Sequence, residues 1–250
     1  MKVCVSLASW PGLRYESALA MLGRTHVEPV FGRLSIEHVQ LVPQSFGTLT
    51  DEAVTDILRA FPSTQFRLHA NARVLRTHRL ADLSNLDTNQ DWFERAAQVS
   101  QRLNAPAYSA HSGSRANATL DSMLDNARRC ADLFGCPVAV EGQYPTRGDA
   151  LLASTWDEYR TVFESGVPFA LDLSHLNIVA TQTQTRDDGL VAEMLSCERC
   201  IEVHVSANDG RGDWHQVCDA TSWWSDLLRH VNSNAVIFSE GNHRTKRSNA

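Results

Sequence analysis

The feature that most restricts this chain is a regular alternation. Short apolar segments recur roughly every thirty residues, each separated from the next by a stretch of helical periodicity. Strands are expected near Val3–Leu7, His38–Val42, Phe66–His69, Ala107–His111, Val138–Glu141, Phe169–Asp172, Ile201–Val205 and Val236–Glu240. Helices are expected near Leu13–Leu22, Thr50–Ala60, Asn89–Asn104, Thr119–Phe134, Thr155–Ser165, Gly189–Cys197 and Ala220–Val231. Strands that are apolar throughout suit a parallel sheet covered on both faces. Eight of them alternating with helices predict an α/β fold, a (β/α)8 barrel. An open doubly wound sheet is the rival, but no glycine-rich phosphate loop follows any strand.

Punctuation agrees with that alternation. Thr50-Asp51-Glu52 and Ser154-Thr155-Trp156-Asp157 offer a capping oxygen followed by first-turn acids. Phe134-Gly135-Cys136-Pro137 and Ser165-Gly166-Val167-Pro168 pair a glycine stop with a proline ahead of the next strand. After Glu240 only ten residues remain, and they carry no helical pattern. The eighth helix is therefore expected to be missing. Apolar barrel surface left bare there favours a partner protein or a second copy of the chain.

The length of 250 residues suffices for one such barrel, so residues 1–250 are expected to form a single domain. No apolar run reaches the ~18 residues of a spanning helix, and Met1 to Leu7 reads as a buried strand rather than a secretion signal. A net charge of −6 gives no footprint for duplex nucleic acid, and the basic cluster Arg244-Thr245-Lys246-Arg247 reads as a solvated terminus. The six cysteines are too sparse for a disulfide framework, which points to a cytoplasmic protein, and Cys197-Glu198-Arg199-Cys200 lacks the second pair of a zinc knuckle.

The strand ends carry the chemical signal. Strand three ends at His69, strand four at His111, strand five at Glu141, and strand six at Asp172 with His175 just beyond. Strand seven ends near His204 and its loop carries Asp213 and His215, while strand eight ends at Glu240. Barrel enzymes place their chemistry at this end. Clustered acids and imidazoles are costly to bury together unless a cation neutralises them. Four carboxylates and five imidazoles make a site for two or three divalent metals.

At this point the sequence resembles the xylose isomerase-like TIM-barrel superfamily over nearly its whole length. Glu141, Asp172, His204 and Glu240 match the quartet that its sugar isomerases and epimerases use for one or two metals. Asp172-Leu173-Ser174-His175-Leu176-Asn177-Ile178 is similar to the epimerases' D-x-x-H-x-N-I stretch. The full set resembles the trinuclear site of endonuclease IV. That likeness implies His69, His111 and Glu141 for one metal; Glu141, Asp172, His204 and Glu240 for a second; and His175, Asp213 and His215 for a third. The spacing of Glu202-Val203-His204, Asp213-Trp214-His215 and Trp223-Trp224 is most similar to the multinuclear non-haem iron barrels that modify ribosomally made peptides, the methanobactin biosynthesis oxidase type.

That last resemblance implies a multinuclear, tri-iron enzyme carrying out O2-dependent oxidation of a peptide cysteine or small thiol, aided by a partner protein that presents the peptide. The alternative is a sugar or polyol isomerase or epimerase using Mn, Mg or Co. A second alternative is a zinc phosphodiesterase of the endonuclease IV kind. Glu141, Glu240 and His175 are the candidate catalytic residues. Fe, Zn and Mn all accept these ligands. Arg67, Arg73 and Arg115 are expected near the mouth, Trp10 and Tyr144 as candidate pocket lining, and His26, His38, His78, His230 and His243 outside the site.

Overall fold

A computed structural model describes residues 2–244. Eight strands form one sheet: β1 (Val3–Ser6), β2 (Ser35–Leu41), β3 (Gln65–Leu68), β4 (Tyr108–His111), β5 (Val138–Glu141), β6 (Phe169–Asp172), β7 (Cys200–Val205) and β8 (Val236–Ser239). Every paired neighbour is parallel, and the spatial order is β3-β2-β1-β8-β7-β6-β5-β4. The two edge strands meet just past the end of β3, where His69 bridges Ser109 of β4 in parallel and the Ala70 amide donates to the Ser109 carbonyl at 2.7 Å. The sheet is thus a nearly closed (β/α)8 barrel.

Seven α-helices cover it: α1 (Tyr15–Met21), α2 (Asp51–Ala60), α3 (Gln90–Arg102), α4 (Leu120–Phe134), α5 (Trp156–Glu164), α6 (Leu173–Thr183) and α7 (Asp188–Ser196). Their caps follow the sequence signals. Thr50 Oγ1 accepts from the Ala53 amide, Thr155 Oγ1 from the Glu158 amide, and Gly135 closes α4 in the left-handed conformation. Apolar residues pack between sheet and helices; Tyr108 stacks on Phe134 with ring centroids 4.4 Å apart.

The structure differs from expectation in three places. Where one helix was expected at Ala220–Val231, a 3-10 turn over Ser225–His230 is found. The Ser225 hydroxyl accepts from the Ser222 amide at 2.8 Å, a local bond that competes with helix entry. Helix α6 starts at once after Asp172, where no helix was expected, because its apolar residues merge with the preceding strand in the sequence pattern. A small hairpin, pairing Val27–Glu28 with Gly32–Arg33, lies between α1 and β2.

Among the described residues no helix follows β8. The chain instead crosses back over the barrel: the Asn242 amide donates to the His215 carbonyl and the His243 amide to the Ser9 carbonyl, at 2.7 and 2.8 Å. The hairpin is planted on the same spot. Fully buried Glu28 accepts from the Ser239 hydroxyl at 2.6 Å and faces His243 Nε2 at 2.8 Å. Residues 245–247 of the basic tail lie outside the described residues.

Candidate metal centre

Strand register assembles the site. His111 lies opposite Glu141 and Asp172 opposite His204, so four of the expected residues come from neighbouring strand ends. His69 follows β3, Glu240 follows β8, and His175 sits in the first turn of α6. Asp213 and His215 enter from the loop after β7. All nine residues face one mouth. His111 and His215 are its more exposed members, with 30% and 24% of their side-chain surface open to solvent, which marks the entry side.

Local structure explains several orientations. Asp172 caps α6: its Oδ1 accepts from the Ser174 amide at 2.7 Å and from the His175 amide at 3.1 Å. Its Oδ2 is left 3.4 Å from His175 Nε2. His175 Nδ1 donates to the Gly142 carbonyl at 2.9 Å, so Nε2 is the nitrogen turned toward the acids. Gly142 is required there, since a Cβ would lie 2.3 Å from the Tyr159 ring. Asp213 Oδ2 lies between His215 Nε2 at 2.7 Å and His175 Nε2 at 3.5 Å. His215 is held at φ +47°, a costly conformation for a histidine.

Glu141 is the hub. Its Oε2 lies 3.3 Å from His69 Nε2 and 3.8 Å from His111 Nε2, and its Oε1 is 3.3 Å from His204 Nδ1. Ligands about 2.1 Å from one metal stand roughly 3.0–3.4 Å apart. In three overlapping groups the donor atoms all lie within 4.8 Å of one another, somewhat wider than that spacing: His69, Glu141 and His204; Glu141, Asp172 and His175; and Asp172, His204 and Glu240. Glu141 Oε2 and His215 Nδ1 are buried without a hydrogen-bond partner, as atoms reserved for a cation would be. The donor chemistry of these groups, carboxylates with imidazoles, fits a divalent metal ion. His111, Asp213 and His215 flank these groups at pair distances of 2.7–3.8 Å.

The electrostatics are those of a charge cluster compensating itself. Burial would raise the Glu141 carboxyl, but His69, His204 and His111 hold it well below the ordinary range. Burial wins at Glu240, raising it to about 7. Burial also keeps His69 neutral, at about 3. His175 and His215 go the other way: despite burial, Asp172, Asp213 and Glu141 lift the first to about 10, and Asp213 and Glu240 lift the second to about 9. His204 is raised too, with Glu141 and Glu240 outweighing its burial.

Four residues beneath the site were not foreseen as part of it. Glu202, two positions before His204 and so on the same inward face of β7, is fully buried. It accepts from Arg67 Nη1 at 2.9 Å, Ser109 Oγ at 2.7 Å and Gln40 Nε2 at 2.9 Å. Arg67, expected near the mouth, is instead inside the barrel. Arg115 is held by both carboxylate oxygens of Glu158 at 2.6 and 2.9 Å, and Arg73 Nε by the Pro43 carbonyl at 3.0 Å. Tyr144 is half-buried against the His175 ring, with centroids 4.9 Å apart, whereas Trp10 is buried.

No family model matches the chain, and neither does any curated protein. Solved structures do. The chain is similar to a D-tagatose 3-epimerase-like protein (14% identity, TM-score 0.71), covering 98% of this chain and 92% of that one. It is similar to an AP endonuclease, family 2, from Brucella melitensis (14% identity, TM-score 0.66, 98% and 94% covered). A third is the D-psicose 3-epimerase of Clostridium cellulolyticum H10, solved with D-tagatose (11% identity, TM-score 0.65, 99% and 87% covered). The chain shares its fold, a (β/α)8 barrel, with these structures.

Proposed function

We propose that the chain is a divalent-metal enzyme of the isomerase or epimerase class, acting on a small polyhydroxylated carbonyl compound such as a ketose. The observation that carries this is the pair Glu141 and Glu240. Both are buried at the mouth, both contact the His204 cluster, and their environments drive them apart, one held ionised and the other raised to about 7. Two carboxyls so separated divide the work of base and acid.

Epimerisation beside a carbonyl needs one group to take the carbon-bound proton and a second to return one. Glu141 would take it and Glu240, the second buried carboxyl of the mouth, would supply it. His69, His204, Asp172 and Glu141 would hold a divalent cation, which would supply polarisation of the substrate oxygens. His111 and His215 line the open side of the mouth. Two of the similar structures are an epimerase and an epimerase-like protein, which supports this reading.

The test is proton exchange. Protein reconstituted with Mn, Co or Mg and incubated with D-tagatose, D-psicose or D-fructose in D2O should incorporate deuterium next to the carbonyl. Glu240→Gln should lose that exchange. Absence of exchange with every metal and ketose tried would refute the proposal.

A second reading rests on one observation, the position of Asp213 between His175 and His215. A third metal held there supports the trinuclear readings: O2-dependent oxidation of a cysteine peptide or thiol by iron, or phosphodiester cleavage by zinc. Three metals per chain after reconstitution, with O2 uptake in the presence of a thiol peptide or cleavage of an abasic duplex, would favour it. Two metals and ketose exchange would exclude it.

A further inference from the structure

The lumen of a TIM barrel is normally filled by branched apolar side chains. Here the layer beneath the metal centre is polar: Gln40 from β2, Arg67 from β3, Ser109 from β4 and Glu202 from β7. We propose that Glu202 is a positioning residue that sets the ring tautomer of the metal-site histidine His69. It acts through the Ser109 hydroxyl, so that His69 turns a bare nitrogen toward Glu141. The inference rests on the metal-dependent reading above and extends it.

A hydroxyl has a single proton, and this decides the geometry. Ser109 Oγ lies 2.7 Å from Glu202 Oε2, a carboxylate oxygen that only accepts, so the proton goes there. Toward His69 Nδ1, 2.9 Å away, Ser109 can then only accept. Nδ1 must carry the hydrogen, and the lone pair falls to Nε2, which stands 3.3 Å from Glu141 Oε2. His204 Nε2 stands 3.1 Å from the same Glu202 oxygen and 2.8 Å from Gln40 Nε2, so the polar layer also reaches this ring.

Arg67, bound to the other Glu202 oxygen at 2.9 Å, keeps the carboxylate charged and cancels its charge locally, so the support adds no net negative charge below the metal site. The acid thus leaves Nε2 as the bare nitrogen of the His69 ring. The bland account is that Glu202 is only the counter-ion of Arg67 and Ser109 only fills space. The two accounts separate at Ser109, which can be changed without touching the ion pair.

The experiment compares wild type, Ser109→Ala and Ser109→Thr, all stripped of metal and titrated with Zn²⁺ against a chelator at fixed pH. Loss of a partner of this kind lowers metal affinity about 10- to 100-fold. The expected result is a loss in that range for Ser109→Ala and wild-type affinity for Ser109→Thr, which keeps the hydroxyl. Metal-free thermal unfolding should change little. Nitrogen-15 NMR of the Zn²⁺-loaded wild type should show the His69 proton on Nδ1, and Ser109→Ala should lose that uniform tautomer. Equal affinity and an unchanged tautomer in Ser109→Ala would overturn the relay. So would an equal loss in both variants, which would mean packing alone. A wild type that takes up no divalent metal fails the metal-dependent reading itself, and the relay with it.

Discussion

Replacing Arg67 with methionine isolates the energetics of the polar layer. The guanidinium and the Glu202 carboxylate have 4% and 0% of their side-chain surface exposed, so their 2.9 Å contact lies wholly out of water. Methionine fills much of the same volume but leaves Glu202 a buried charge whose remaining donors are Ser109, Gln40 and His204. Breaking a buried pair from one side costs about 3–5 kcal/mol. At roughly 2–4 °C per kcal/mol for a chain of this size, the melting temperature should fall by roughly 6–20 °C. The effect should depend on pH in a defined direction. In the wild type, Glu202 is held at about 2, burial being outweighed by Arg67 and His204, so its contribution is present above the ordinary carboxylate range and lost as pH falls toward 2. Without Arg67 that depression shrinks and burial pulls the carboxyl upward, so Arg67→Met should close part of its deficit as pH is lowered from 7 to 5. The double variant Arg67→Met/Glu202→Met should recover most of the loss at pH 7. Thermal and urea unfolding of the three proteins at both pH values measure this. A single variant as stable as wild type, or a double variant no better than the single, would refute the reasoning.

Other consequences are directly measurable. Gly142→Ala drives a methyl against the Tyr159 ring beside the carbonyl that seats His175, so it should cost about 1–3 kcal/mol in urea unfolding and weaken metal uptake as well. Metal affinity should climb with pH. His175 at about 10 and His215 at about 9 hold protons at neutrality that a cation must displace, giving roughly tenfold tighter binding per pH unit for each proton released, and a chelator competition that is flat from pH 6 to 8 would contradict this. The same raised values mean that the metal-free protein gains stability from these histidines below their ordinary range and loses it as pH rises toward 9–10. His215→Ala with Asp213→Asn should leave the Glu141 groups loaded; metal analysis showing one ion fewer than wild type would mark a third site, and an unchanged count would mark its absence. Thr119→Ala removes the α4 cap and should cost about 1 kcal/mol without altering metal content.

What the sequence disclosed, and what it hid, follows from where each signal is written. The eight strands were legible because each is buried on its outer face by helices, which leaves an unbroken apolar run. The nine mouth residues were legible because a polar group stands out where such a run stops. Glu202 and Arg67 were not, since they point inward from mid-strand and their meaning depends on partners more than a hundred residues away. The start of α6 was hidden for a related reason: Leu173, Leu176, Ile178 and Val179 prolong the apolar signal of β6, and only the capping geometry of Asp172 divides the two. The hairpin at Val27–Glu28 and Gly32–Arg33 is too short to show any period.

The double duty of Asp172 gives this centre an unusual mechanical property. One carboxylate oxygen is committed to the first turn of α6 and only the other faces the site. The carboxylate therefore cannot swing to bidentate ligation without releasing the helix, and the helix cannot fray at that end without withdrawing a ligand and tilting His175. Metal uptake at the mouth should therefore slow hydrogen exchange at the Ser174 and His175 amides, whose bonds to Asp172 tie the first turn of α6 to the site.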